Sequence, residues 1–82
     1  MYNTYINQIY VNTLCMKNKV DEYRCKQNMT LQQLSERTGI SRTTLSKIVN
    51  NQTNDILLSH AIILSRVLKV DLYELFCIIV YN

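Results

Sequence analysis

The chain has 82 residues, no proline and a single glycine, Gly39, so it contains few residues that break a helix. Helix boundaries must therefore come from capping residues and from hydrophobic periodicity. These signals predict five short helices, joined by turns of a few residues, between about Lys17 and Phe76. The composition is 48% hydrophobic and 18% charged, which favours a folded globule over a disordered chain. We expect one small all-α domain.

Capping residues mark the helices in the middle of the chain. Thr30 and Gln33 have the spacing of a capping box, in which each side chain accepts a hydrogen bond from the other residue's backbone. The helix that follows ends at Gly39, because glycine readily adopts the left-handed conformation found at helix ends. Ser41 caps a third helix immediately afterwards. The pattern predicts two helices joined by a turn of three to four residues.

Two more helices are predicted in the second half of the chain. Asp55 (or Asn54) is expected to cap the apolar segment "ILLSHAIILSRVL", and Asp71 with Glu74 is expected to form a second capping box. Helical spacing places one stripe of the longer helix toward the core, namely Leu58, Ala61, Ile62, Ser65 and Leu68.

The third helix, within "TGISRTTLSKIVNN", has one apolar face and one polar face. The apolar face comprises Ile40, Leu45, Ile48 and Val49, and the polar face comprises Arg42, Thr43, Ser46 and Lys47. No acidic residue occurs between Arg37 and Asn54, although the net charge of the whole chain is only +3. Such a local positive field suits a polyanion, but charge alone fits an ordinary solvated surface equally well.

Two helices around a short glycine turn resemble the helix-turn-helix, whose second helix lies in the DNA major groove. More closely, residues 17–76 resemble the Cro/CI-type domains of phage repressors, the lambda-repressor-like XRE family. The resemblance rests on "VDEYR", "MTLQQLSERTGISRTTLSKIVNN" and "LSRVLKVDLYELF". It implies a five-helix all-α DNA-binding domain, preceded by an extension at 1–16 for packing or dimerisation and followed by an apolar tail at 77–82.

The same resemblance implies double-stranded DNA as the partner and assigns residues to it. The positions that match the family's base-reading residues are Arg42, Thr43, Ser46 and Lys47. Arginine or lysine can donate to guanine O6 and N7, and a threonine methyl can contact a thymine methyl. The residues expected at DNA phosphates are Gln32, Thr44, Asn50, Asn51, Gln52 and Arg24.

The chain departs from the family pattern at several positions. Family members usually carry glutamine at the position of Leu31 and glutamate at the position of Val49. That glutamate commonly pairs with the arginine matched by Arg24, so Arg24 is expected either to contact phosphate or to be solvated. Asn51 and Lys69 stand where glycine is common, and lysine adopts the left-handed conformation at a cost.

The remaining polar residues give no catalytic pattern. The sequence has no glycine-rich phosphate loop, no paired carboxylates and no Cys/His cluster, so we expect neither an enzyme nor a metal or cofactor. His60 is expected to be a packing or surface residue and not a ligand or general base. Three cysteines without a CxxC pair favour reduced thiols and a cytoplasmic protein. No apolar run approaches the ~20 residues that span a bilayer.

The flanks "YINQIYV" and "CIIVY" are uncharged and fit a strand or a helix about equally. Apolar ends on a small domain suggest burial, either within the chain or against a second copy. A dimer interface is expected to include Ile78, Ile79 or Val80, with or without Ile6 and Ile9. The leading hypothesis is a dimeric, sequence-specific regulator, a small repressor of phage or mobile-element type acting on a palindromic operator. The alternatives are an antitoxin, whose flank binds a toxin, and a protein-interaction module such as an anti-host factor.

Overall fold

The order of elements is strand, three helices, strand and two helices. The computed structural model describes residues 10–12, 18–52 and 55–76. The helices are α1 (Val20–Lys26), α2 (Leu31–Thr38), α3 (Arg42–Val49), α4 (Leu58–Leu68) and α5 (Leu72–Phe76), and the strands are β1 (Tyr10–Asn12) and β2 (Asp55–Leu57). The all-α class with five helices is confirmed, and the two short strands are an addition to it.

The strands β1 and β2 form an antiparallel pair, here called the β-ribbon. Tyr10 lies opposite Leu57 and Asn12 lies opposite Asp55. The described part of the N-terminal flank is therefore strand, and it pairs within its own chain. The prediction that Asp55 caps α4 is wrong, because Asp55 belongs to β2 and α4 begins at Leu58 without a side-chain cap. Of the predicted dimer contacts, every residue lies outside the described ranges.

The helices α1 to α4 are each followed by a residue in the left-handed conformation. These residues are Asn28 (φ 54°), Gly39 (φ 75°), Asn51 (φ 56°) and Lys69 (φ 58°). The left-handed residue turns the chain so that backbone amides beyond the helix reach its last free carbonyl groups. The expectation for Gly39 is confirmed, and Asn51 and Lys69 have the conformation that glycine would adopt most easily.

Two of the predicted caps are confirmed and a third is half right. The Thr30 hydroxyl accepts from the Gln33 amide at 3.0 Å, and the Gln33 side chain accepts from the Thr30 amide at 2.8 Å. The Ser41 hydroxyl accepts from the amide three residues later at 3.1 Å. Asp71 accepts from a backbone amide of α5, but Glu74 does not return the contact. The Glu74 carboxylate instead accepts from Lys19, which precedes α1, and from Tyr23 of α1, at 3.0 Å each.

All five helices contribute to one core. Its buried members are Val20, Met29, Leu34, Ile40, Leu45, Ile48, Ile56, Ala61, Leu64, Leu68, Leu75 and Phe76. On α4, Ala61 and Leu68 are buried as predicted, but Leu64 completes the stripe, and Leu58, Ile62 and Ser65 are only partly buried. Ile56 of β2, just before α4, is buried in the same core.

Candidate nucleic-acid interface

The turn between α2 and α3 is fixed by hydrogen bonds from both sides. The Ser35 hydroxyl donates to the Ile40 carbonyl at 2.6 Å, and the Ile40 amide donates to the Thr38 hydroxyl at 3.2 Å. The Ile40 side chain is buried between the two helices, while Gly39 makes the left-handed turn. The Ser35 side chain thus holds the turn, and α3 has a defined direction relative to α2.

The two faces of α3 have the predicted environments. Leu45 and Ile48 are buried in the core, and Val49 packs partly against it. On the other face, Arg42, Thr43 and Lys47 are exposed and Ser46 is half-buried. The buried face holds the helix to the domain, and the polar face is available for a ligand.

The predicted base-reading residues line one surface groove, here called the α3 groove. Its lining residues are Leu31, Arg42, Thr43, Ser46, Lys47 and Gln52, and its volume is about 470 Å³. Positions 42 and 46, like 43 and 47, are one helical turn apart and stand in adjacent rows on the same face. The groove therefore presents two cationic donors, three neutral polar groups and one aliphatic side chain side by side.

The two cations of the α3 groove are not neutralised by an acid. Among the described residues, the ion pairs join Lys19 to Glu74, Arg24 to Asp21 and Lys26 to Glu22, so Arg42 and Lys47 take part in none. The acid-free stretch from position 37 to position 54 surrounds them. Both side chains are thus free to donate hydrogen bonds to an anionic or acceptor-rich ligand.

Gln52 is the one phosphate candidate that shares this groove with the base-reading candidates. Its amide donates to the Lys47 carbonyl at 3.0 Å, and the Asn51 amide donates to the Ile48 carbonyl at 3.1 Å. Together with the left-handed Asn51, these bonds form a Schellman end, which directs the chain back along the helix. The end of α3 therefore holds Gln52 beside the face that begins with Arg42.

Leu31 belongs to the groove although the sequence analysis treated it only as the loss of a phosphate ligand. It is the first residue of α2, partly buried against the core, and its exposed part forms an aliphatic wall of the groove. The Thr30 cap identifies Leu31 as the first residue of α2, but sequence spacing does not place it beside α3. An aliphatic surface of this kind can contact a thymine methyl or a sugar.

Three other phosphate candidates lie outside the groove lining. Gln32 is exposed and donates to the Glu36 carboxylate at 3.1 Å. The Thr44 hydroxyl accepts from the Ser41 hydroxyl at 2.9 Å at the N-terminus of α3. Asn50 lines a separate cavity beside α1 and donates to the Ser46 hydroxyl at 3.4 Å.

The last two phosphate candidates have partners within the chain. Arg24 donates to the Asp21 carboxylate at 2.6 and 2.8 Å and to the Met29 carbonyl at 2.7 Å. Its side chain is 19% exposed, so the expectation of a solvated arginine is wrong: local partners replace the missing glutamate. The Asn51 carboxamide oxygen accepts two hydrogen bonds from Asn18, both at 2.9 Å.

The described residues outside the groove offer little catalytic chemistry. His60 lies on α4, and partial burial lowers the pKa of its imidazole from the ordinary value of 6.5. Cys25 is a free, exposed thiol. Within the described ranges, no group of three or more His, Cys, Asp or Glu side chains is placed to hold a metal ion. The helices of the same ranges are too short or too polar to cross a membrane.

Of the comparisons with known proteins, the one with family models finds a match. No curated protein and no solved structure shows significant similarity to the chain. The helix-turn-helix family model HTH_3 matches residues 20–75, which extend from the start of α1 to α5 and include the whole α3 groove. The chain belongs to the Cro/CI-type (XRE) helix-turn-helix family of DNA-binding transcription regulators.

Proposed function

We propose that the protein is a sequence-specific repressor that binds double-stranded DNA as a dimer on a palindromic operator. It acts in the cytoplasm and is of phage or mobile-element type. The observation that supports this most strongly is the α3 groove. It combines two unpaired cations, two hydroxyl groups and a carboxamide on one face of a helix whose opposite face is buried. A helix with this arrangement fits the DNA major groove.

The roles follow from the chemistry of each side chain. Arg42 and Lys47 donate to guanine O6 and N7, and the Thr43 methyl contacts a thymine methyl. Ser46 is less exposed and accepts or donates a single hydrogen bond at a base edge. Gln52, which follows the end of α3, donates to a phosphate and fixes the depth at which the helix lies.

The short length of the reading helix supports a twofold dimer. The eight residues of α3 span roughly 12 Å, so one copy reads only a few base pairs. Two copies on half-sites one DNA turn apart double the number of base contacts, which is the arrangement typical of helix-turn-helix dimers. Sedimentation of the full chain, with and without a duplex carrying two half-sites, measures the assembly. A single copy bound to such a duplex at saturation would contradict the dimer.

The test of the base-reading role is a binding-site selection from random duplexes, run on the parent and on Arg42→Ala. We expect the variant to lose roughly 1–3 kcal/mol on the preferred site and to relax the preference at one base position. Arg66→Ala is the matched control, because Arg66 is an exposed arginine of α4 outside the groove. It removes the same charge and should keep the parent's base preferences.

Circular dichroism of both variants shows whether they are folded. If folded Arg42→Ala kept the affinity and every base preference of the parent, α3 would be a solvated face. The hypothesis of a protein-interaction module would then replace the hypothesis of a DNA-binding regulator.

A further inference from the structure

Asn18, which precedes α1, makes four hydrogen bonds. Its side-chain oxygen accepts from the Val20 amide at 3.0 Å, which closes a turn at the start of α1. Its side-chain nitrogen donates to the Ile48 carbonyl at 2.7 Å and to the Asn51 carboxamide oxygen at 2.9 Å. Its backbone amide donates to the same Asn51 oxygen at 2.9 Å. One residue thus joins the start of α1 to the end of α3.

These bonds act on the part of α3 that directs the chain into the groove. The Ile48 carbonyl already accepts from the Asn51 amide, and Asn51 is the left-handed residue of the Schellman end. Fixing the Asn51 side chain therefore fixes the turn from which Gln52 emerges beside Lys47. Asn18 itself does not line the α3 groove.

The link is specific to Asn18. Among the residues that the structure describes, the hydrogen bonds between the segment 18–27 and the segment 41–52 all come from Asn18. The Arg24 side chain of α1 donates to Asp21 and to the Met29 carbonyl instead. Apolar packing holds the helices together, but a directional bond between them exists only at this end of α3 in the described segments.

We propose that Asn18 is a positioning residue for DNA recognition, which holds the C-terminal turn of α3 and the Gln52 loop at the angle that the base contacts require. This inference rests on the proposed function. Phosphate contacts tolerate small displacements, whereas hydrogen bonds to base edges depend on direction. Loss of the link should therefore reduce discrimination between DNA sequences more than it reduces general affinity for DNA.

The principal variant is Asn18→Ser. A serine hydroxyl can still accept from the Val20 amide, but it is too short to reach the Ile48 carbonyl. The matched control is Gln27→Ala, since the Gln27 side-chain nitrogen donates to the Leu68 carbonyl at 2.7 Å and so joins α1 to the end of α4. Both variants remove a side-chain bond that joins a residue flanking α1 to the end of another helix, and only one of those ends adjoins the groove.

The measurement is the ratio of Kd on an unrelated duplex to Kd on the duplex selected by the parent, well below the melting temperature. We expect Asn18→Ser to lower this ratio about five- to tenfold, the scale of one weakened base contact. Gln27→Ala should keep the ratio. Equal ratios in Asn18→Ser and the parent would overturn the inference, and so would an equal fall in both variants, which would indicate a merely structural role.

A second variant, Asn51→Gly, removes the carboxamide oxygen that accepts two of the three bonds of the link, while glycine takes the left-handed backbone without strain. We expect the ratio to fall although thermal stability does not. The double variant with Asn18→Ser should fall by less than the sum of the two single losses, because both single variants remove the bond between the two side chains. Additive losses would overturn the inference. If the parent itself showed no preference among duplexes, the proposed function would fail first. If the parent discriminated and Asn18→Ser did so equally, the inference alone would fail.

Discussion

Gly39 and Lys69 occupy equivalent positions in the fold. Each follows a helix in the left-handed conformation, and each is preceded four positions earlier by a serine. The Ser35 hydroxyl donates to the Ile40 carbonyl and the Ser65 hydroxyl donates to the Val70 carbonyl, both at 2.6 Å. The chain thus uses one solution for the ends of α2 and α4, but places glycine in the first and lysine in the second.

The equivalence predicts opposite effects of exchanging residues at the two ends. Lys69→Gly should raise the free energy of unfolding by about 0.5–1 kcal/mol, because a left-handed side chain is strained and glycine is not. Gly39→Ala should lower it by about 1 kcal/mol. No atom lies within 4 Å of a Cβ built at Gly39, so that cost comes from the backbone alone. Urea denaturation measures the free energy of unfolding of both variants. An unchanged value in Gly39→Ala would contradict the strain argument.

The two faces of α3 should separate folding from binding. Leu45 is fully buried, so Leu45→Ala should lower the free energy of unfolding by roughly 2–5 kcal/mol, and its loss of binding should follow its loss of helicity. Thr43→Ala, on the exposed face of the same helix, should weaken DNA binding while the free energy of unfolding changes by less than about 0.5 kcal/mol. Denaturation and DNA titration of both variants check this, and a destabilised Thr43→Ala would count against the assignment of faces.

DNA binding should weaken steeply with salt, because each phosphate contact with a cation releases counterions. A protein with several such contacts loses orders of magnitude in affinity between about 50 and about 200 mM salt. Lys47→Ala should reduce the slope of log K against log salt by up to about 0.9, because it removes one cation from the surface that faces the DNA. Gln52→Ala carries no charge change and should weaken all duplexes equally at an unchanged slope. A Kd independent of salt would exclude DNA and favour the protein-interaction alternative.

The contact between α1 and α5 should make stability depend on acid pH. Hydrogen bonds from Lys19 and then from Tyr23 hold the pKa of the Glu74 carboxyl below its ordinary value of 4.5. A depressed carboxyl pKa contributes stability above the unfolded-state value and loses it as the pH falls through the folded-state value. Glu74→Gln should therefore show a smaller loss of stability than the parent between about pH 5 and pH 3. If the free energy of unfolding fell equally with pH in the parent and in Glu74→Gln, the role of Glu74 would be contradicted. Glu22→Gln is the control, because Glu22 is exposed and its ion pair with Lys26 lies within α1.

The features that the sequence predicted correctly are those set by neighbouring residues. The Thr30–Gln33 box, the Ser41 cap and the Gly39 turn each depend on residues within three or four positions, and each forms as expected. The polar face of α3 follows from helical spacing in the same way, and the structure gathers it into one groove.

The features that were missed depend on partners far along the chain. Asp55 has the side chain of a cap, but pairing with a strand more than forty positions earlier places it in β2. Glu74 has the spacing of a capping box, but Lys19 offers it a charged donor across the fold. The link from Asn18 to Asn51 spans 33 positions and involves asparagines that also fit ordinary turns. Sequence spacing contains no signal for such pairings.

The β-ribbon also has a consequence for the order in which the chain folds. Its two strands bracket α1, α2 and α3, so pairing β1 with β2 closes a loop that contains all three helices. The contacts between α2 and α3 are local in sequence, whereas closing the ribbon costs loop entropy that only a preformed helical core reduces. We expect the helix pair to assemble before the ribbon closes, so that substitutions of Ile56 which weaken β2 accelerate unfolding and leave the folding rate nearly unchanged.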